Sequence, residues 1–464
     1  MRRGLAGLCA TFALTGCAVG PNYTPPTLET AAAYRNAEPT AALNSAEPWW
    51  RAFHDPVLDR LEDDALAQNL DIAAAIARVD QARAASGAAR AALLPAGEAD
   101  AKGAGQRASI ANSNKVLALY FPNYKRDGSL YDVTAGASWE LDLFGGLRRT
   151  DEAARAELSA ATVGAIGARM TVAADVADHY AQLRGFQARL RVAEQGEAVA
   201  AKLMELVKLR FDAGEAPRRD LDAAEAQFSQ ARAGEAQFRL AIEAELNALA
   251  VLTGKTAEAE REAVAKTAPL PVSPRFDTGR PGDLLRRRPD LIAAERKLAA
   301  ADARIGAAIA DYYPKITLQG LIGYESISTS DLFSSKAAES QGALGIRWRL
   351  FDFGRVDAEV RAARGRTAEA LAAYRQAVLR ATGDVENALK AGAERAAAAR
   401  DLHRAAAAST RARDAALDAN AAGLVSLLET LDAERQRLTA EDQALAADTD
   451  TVRAAVALAR ALGL

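Results

Sequence analysis

SWELDLFGG, residues 138–146, returns in altered form as RWRLFDFGR, residues 347–355. Trp139, Leu141, Phe144 and Gly145 reappear as Trp348, Leu350, Phe353 and Gly354, each 209 positions further on. Both copies close an alternating run and stand just before a very long Ala-rich stretch. The rest of the chain keeps this order, which marks an internal duplication. LDIAAAIARVDQARAASGAARAALLP (70–95) matches PDLIAAERKLAAADARIGAAIADYYP (289–314) at an offset of 219, pairing Asp71 with Asp290, Gly87 with Gly306 and Pro95 with Pro314. AGEAPRRDLDAAEAQ (213–227) resembles AGLVSLLETLDAERQ (422–436), with Gly214 and Gly423 again 209 apart. The offsets differ by ten, so the first copy carries the longer insertion between its two strands.

Each half reads as a helix ending at a proline, two strands, a helix of unusual length, a Gly-centred turn and a returning helix. In YDVTAGASWELDL (131–143), Tyr131, Val133, Trp139 and Leu141 alternate with Asp132, Thr134, Glu140 and Asp142 for thirteen residues without an error. The second copy sets Leu344, Ile346, Trp348 and Leu350 against Arg347 and Arg349. After Pro314, Ile316, Leu318, Ile322 and Tyr324 alternate with Lys315, Thr317, Gln319 and Glu325. The strand after Pro95 is weaker, with Ala99, Ala101 and Gly103 against Glu98, Asp100 and Lys102. Such strands would serve a soluble sheet with its apolar face inward. They equally suit a barrel with apolar side chains to lipid and charged ones to a watery lumen, and their length fits a tilted span of hydrocarbon. The Ala-rich helices offer no thick core for a soluble sheet to cover, which favours the barrel. Four strands cannot close one, and open edges in lipid leave backbone groups unpaired. Closure then requires other copies: two would supply eight strands and three would supply twelve. Trp139 and Trp348 are expected near a membrane boundary, with Gly145 and Gly354 bending each strand into its helix.

The first long helix is expected over about 147–212 and the second over about 355–421, each about 100 Å long at 1.5 Å per residue. In the second, Val360, Ala363, Thr367, Ala370, Tyr374, Ala377, Ala381 and Ala388 step by three and four, a coiled-coil seam of small knobs. Half the residues are hydrophobic but only 6% are aromatic, which suits closely packed helices. The net charge of −3 and the absence of a basic patch interleaved with aromatics exclude nucleic acid as a partner. No apolar run reaches the roughly 20 residues of a spanning helix.

Arg2 and Arg3 followed by an apolar Gly4–Leu14 stretch form an export signal, and LTGC (14–17) reads as a lipobox with Cys17 lipidated. Ala18 after that Cys favours the outer membrane. With Cys9 removed and Cys17 acylated, no thiol is left for a disulfide, a metal or a nucleophile. The segments expected are a signal peptide 1–16, a lipidated arm 17–50, a first repeat 51–254, a Pro-rich connector 255–283 and a second repeat 284–464. His54, His179 and His403 fall in separate segments, and no HExxH, nucleophile elbow or phosphate loop occurs, so no enzyme, metal site or cofactor is expected beyond the lipid on Cys17.

The whole resembles the TolC-like outer-membrane efflux proteins, most closely their lipoprotein branch, the OprM/NodT-like factors of RND-type systems. The residues that carry this are LTGC, PWWRAFHDPVLDRL, ARVDQARA, SWELDLFGG, LLRRRPDLIAAER, the YYP before a strand, DVENAL and LETLDAER, in order along nearly the entire mature chain. The resemblance implies an α+β membrane protein that forms a homotrimer, with a 12-stranded barrel in the Gram-negative outer membrane above an α-helical periplasmic tunnel. It implies a passive conduit for small molecules, served by a periplasmic adaptor and an inner-membrane pump. A channel for type I protein secretion and a pore-free, lipid-anchored periplasmic scaffold are the alternatives. It further implies that the turns at Gly214 and Gly423 meet the adaptor, and that Glu429 and Asp432 line the pore constriction. Some relatives lock the tip with a Tyr and an Arg where this chain has Asn420 and Val425. Asp220, beside Arg218 and Arg219, matches the partner position in the first half.

Overall fold

The computed structural model describes residues 18–28, 31–36, 48–109, 111, 120, 125–264 and 268–464. Helices α1 (Pro56–Gln68) and α2 (Leu70–Ala91) precede strands β1 (Ala96–Arg107) and β2 (Asp127–Glu140). Helices α3 (Gly146–Asp212), α4 (Arg218–Thr253), α5 (Ala257–Val264), α6 (Leu284–Arg287) and α7 (Pro289–Ala310) follow. The chain then runs through β3 (Lys315–Ser326), β4 (Ala338–Arg347), α8 (Arg355–Ala421) and α9 (Leu427–Leu462). The duplication is visible in the lengths: α3 and α8 have 67 residues each, α4 and α9 have 36, and β1 and β3 have 12.

The chain divides into two compact units. The first comprises the chain up to Pro26, Asp80–Ala160 and Glu295–Ala372. It holds one antiparallel sheet of order β1-β2-β3-β4, so β1 and β4 are its edges. The register keeps the faces in phase. Ala101, Val133 and Tyr324 lie across from one another on one face, as do Ala99, Ala135 and Ile322, while Lys102, Asp132 and Glu325 meet on the other. A one-residue slip would turn every side chain over. The apolar face is open, with Ile322 66%, Leu344 65% and Ile346 67% exposed. Leu321 is an apolar exception on the polar face, opposite Gly136 and Gln341.

The alternation overstates the ends of the strands. β2 begins at Asp127 and stops at Glu140 instead of continuing to Leu143, and β4 stops at Arg347 short of Leu350. The reason lies in the acid that follows each strand. Asp142 adopts a left-handed φ of 43° and its carboxylate accepts from the amides of Leu147 and Arg148, both at 2.9 Å. Asp352 accepts from the amides of Gly354 at 3.1 Å and Val356 at 2.9 Å. Each acid therefore caps a long helix, satisfying amides that have no partner inside it. In the same unit, the start of α3 and the second half of α7 pack through Ala153, Ala300 and Ala303, and Phe144 stacks on Tyr313 with ring centroids 4.4 Å apart.

The second unit comprises Thr27–Val79, Ala161–Ala294 and Ala373–Leu464. It holds a polar chain around the buried Tyr180 and Arg184. Asp55 caps α1 through Val57 N at 2.8 Å and accepts from Tyr180 Oη at 2.7 Å; Arg184 Nε donates to that hydroxyl at 3.0 Å and Nη1 to the carbonyl of Val264 at 3.3 Å. Side-chain bonds join the long helices in the order α4–α3–α9–α8. His179 meets Glu245 at 2.6 Å between α3 and α4, and His403 meets Asp448 at 2.8 Å between α8 and α9. Between α3 and α9 run three Arg–Asp pairs: Arg189–Asp442 at 2.8 Å, Arg453–Asp178 at 2.8 Å and Arg460–Asp175 at 2.9 Å. Within that ladder Gly185 lies so near Thr449 that an added Cβ would come within 2.3 Å of its Oγ1. The seam on α8 is wider than the heptad reading. Tyr374 and Ala381 are buried as expected, and Val378 and Val385 join them.

Candidate conduit: barrel rim and helix tips

At the rim, each strand-to-helix junction is built twice from the same parts. Trp139 Nε1 donates to the carbonyl of Leu93 at 2.8 Å, and Trp348 Nε1 donates to that of Tyr312 at 3.0 Å. Both rings stay partly open, 37% and 55% exposed. A ring with an apolar body outside and its polar N–H tied down suits a membrane–water boundary. Gly145 and Gly354 follow at φ 79° and 85°, a conformation that favours glycine.

At the other ends of α3 and α8 the chain reverses through two matching turns. Gly214 (φ 77°) and Gly423 (φ 72°) are left-handed. Glu215 N donates to Arg210 O at 2.7 Å and Gly214 N to Phe211 O at 2.9 Å. Leu424 N donates to Ala419 O at 2.8 Å and Gly423 N to Asn420 O at 2.9 Å. These are paired Schellman closures, which satisfy the last helical carbonyls.

The candidate gate residues lie just beyond. Ser426 caps α9 by accepting from Glu429 N at 3.2 Å. Glu429 and Asp432 are both exposed in the first turns of that helix. Arg435 donates to Asp432 at 2.7 Å and Gln436 does so at 2.7 Å; the Arg435 bond holds the Asp432 carboxyl below the usual carboxylate range. In the first half, Arg219 pairs with Asp220 at 3.1 Å and Arg218 with Asp222 at 2.8 Å. Asp220 also lines a groove of about 250 Å³ with Leu206, Val207, Arg210, Ala224 and Leu428. The Ser426-to-Glu429 spacing is a capping signal legible in the sequence but absent from the reading above. Cys17 lies outside the described residues. Among the described residues, no group of three His, Cys, Asp or Glu is placed to hold a metal, and no helix is long and apolar enough to cross a membrane.

The family model for outer membrane efflux proteins matches residues 61–255 and 281–464, one stretch in each repeat. The chain belongs to the outer membrane efflux protein family. It is 32% identical to the pyoverdine export outer membrane protein OpmQ of Pseudomonas putida, over 99% of this chain and 97% of that protein. It is 30% identical to nodulation protein T of Rhizobium leguminosarum bv. trifolii, over 91% and 89% respectively. The solved outer-membrane channel OprN shares its fold with a TM-score of 0.84 at 32% identity, covering 96% of this chain and 99% of that one. This outer membrane efflux protein is a channel extending into the periplasm and a component of an efflux pump, without enzymatic activity. The expectation of a barrel strand set joined to long duplicated helices is met, and the pore-free scaffold is set aside.

Proposed function

We propose that the channel works as a homotrimer whose three sheets close a 12-stranded barrel, with lipid on Cys17 as a second hold on the outer membrane. The single observation that supports this most is the sheet itself: among the described residues β1 and β4 are edges with no further strand partner, while Ile322, Leu344 and Ile346 are exposed together on one face. An unpaired backbone group in lipid costs roughly several kcal/mol, so an edge the length of β1 requires a partner strand. The outward apolar band in turn requires hydrocarbon.

In this reading, the turns at Gly214 and Gly423 receive a periplasmic adaptor, and an inner-membrane pump of the RND type supplies the energy. Glu429 and Asp432 of three copies ring the axis with carboxylates, favouring cations. Small organic molecules are the cargo class, as the pyoverdine-exporting relative suggests. The segments 51–254 and 284–464 act as the two repeats on either side of the connector 255–283. The test is mass and conductance together. Detergent-purified protein is expected at the mass of three chains and to conduct in planar bilayers, with Glu429→Ala/Asp432→Ala lowering cation preference. A water-soluble single chain without conductance would end this reading. Radiolabelled fatty acid is expected on the wild type and absent from Cys17→Ala.

A further inference from the structure

We propose that β4 of one copy pairs with β1 of a second copy in one register, which places Arg347 opposite Asp100 and Arg349 opposite Glu98 of that second copy. This rests on the oligomeric reading above and deepens it.

The register follows from the duplication. Within the first repeat Ala96 lies opposite Ser138. Moving each by its own offset, 219 and 209, gives Lys315 opposite Arg347, the pair observed in the second repeat. The same offsets carry the Trp139–Leu93 bond onto the Trp348–Tyr312 bond. The two repeats are therefore equivalent down to single hydrogen bonds. Where the first repeat meets the second, Glu140 lies opposite Thr317 and Ser138 opposite Gln319. In a closed ring the second repeat must meet the first repeat of the next copy in the same way. Applying the offsets to those two pairs yields Arg349 opposite Glu98 and Arg347 opposite Asp100.

Charge gives an independent check, because nothing in the duplication required it. All four side chains are exposed. Among the described residues Glu98, Asp100 and Arg347 enter no ion pair, and Arg349 has only Glu359 at 3.8 Å. A slip of two residues in one direction would set Arg347 against Lys102. In the other direction it would leave Arg349 against Ala96. A slip of one would turn the apolar face into the lumen. Only the inferred register gives both arginines a carboxylate across the strand, an arrangement that favours pairing.

Size agrees as well. On the outer face the bulky Leu344, Ile346 and Trp348 fall opposite the small Gly103, Ala101 and Ala99. At the rim, the Phe144–Tyr313 stack within the chain maps onto Phe353 against Leu94 of the second copy. Those are orphans in the single chain, 100% and 64% exposed.

Cysteine pairs read the register directly. Opposed residues in an antiparallel pair lie about 4.5–5.5 Å apart at Cα, within disulfide reach, whereas partners shifted by two residues lie about 7–8 Å apart. Full-length protein carrying Asp100→Cys and Arg347→Cys, with an added oxidant in detergent, is expected to give covalent multimers. The shifted combinations Lys102→Cys/Arg347→Cys and Glu98→Cys/Arg347→Cys are expected to give few. Multimers from a shifted pair with none from the 100/347 pair would overturn the register. So would the absence of all three in protein whose native mass is oligomeric. A native mass of one chain would sink the oligomer itself, a separate failure. As a second readout, Arg347→Asp is expected to lower the temperature at which the oligomer dissociates, and adding Asp100→Arg to restore it. A double variant no better than the single would also overturn the proposal.

Discussion

Asn420 Nδ2 donates to the carbonyl of Val425 at 2.9 Å, spanning the second tip turn from its two ends. These are the two positions at which the family resemblance implies a Tyr and an Arg as a tip lock. Here the same positions close their own turn. Asn420→Ala removes that bond and leaves the Schellman closure at Gly423 intact. It is expected to cost about 1 kcal/mol locally, read as faster hydrogen exchange at Leu424 and Val425 with little change in global melting. Unchanged exchange would show that the side-chain bond contributes nothing.

The tip glycines have open space where a Cβ would go, so any cost of substitution there is conformational alone. Gly423→Ala and Gly214→Ala are each expected to destabilise their hairpin by about 1 kcal/mol. Asn at the same positions is expected to cost less, since it tolerates the left-handed region. Thermal melts in detergent separate the two; equal losses for Ala and Asn would point to a steric origin instead.

Tyr180 is wholly buried and its hydroxyl joins Asp55 to Arg184. Tyr180→Phe keeps the ring but breaks both bonds inside the protein. A loss of about 1–3 kcal/mol is expected, because buried partners are left short of a hydrogen bond. Denaturant melts check this, and a neutral result would mean that other groups or water take over the bonding.

Glu62 is fully buried, and among the described residues neither carboxylate oxygen has a hydrogen-bond partner. Burial raises its pKa well above the ordinary 4.5, with Asp63 and Asp59 adding to the rise. A raised carboxyl is an acid held neutral by folding, so its contribution is fully present below pH 4.5 and is lost as pH climbs through the folded value. Glu62→Met is therefore expected to raise stability at neutral pH and to flatten the decline above pH 4.5. The His179–Glu245 hydrogen bond raises the His179 pKa, which gives the same sign in a higher window, starting from 6.5. His179→Gln is expected to remove that second slope. Melting temperatures across pH 4 to 9, on the order of half a unit per step, resolve the two windows.

Much of the fold was legible because its punctuation is chemical. Pro95 and Pro314 end helices, and Gly145, Gly214, Gly354 and Gly423 sit where the backbone turns left-handed, so the expected bounds of α3 and α8 fall within a residue of those observed. The strand faces were legible from strict alternation. The strand ends were not, because Asp142 and Asp352 continue or border a strand pattern while acting as helix caps. The Asp55–Tyr180–Arg184 chain and the Arg–Asp ladder between α3 and α9 were also invisible. Apart from the Tyr180–Arg184 step within α3, they join residues more than a hundred positions apart, and no local spacing encodes such a pair. At the tip, Glu429 and Asp432 could be placed on one helix from their spacing. Their neighbours Arg435 and Gln436, which hold the Asp432 carboxylate, came only with the geometry.

The most direct measurement concerns which face of the sheet meets lipid. A fluorescent label at Ile322 and another at Gln319, introduced singly as cysteines in protein reconstituted into vesicles, can be challenged with a lipid-soluble and a water-soluble quencher. The label at 322 is expected to be quenched from the bilayer and shielded from water, and the label at 319 to show the reverse. Equal quenching at both positions, or lipid contact at 319, would contradict the account.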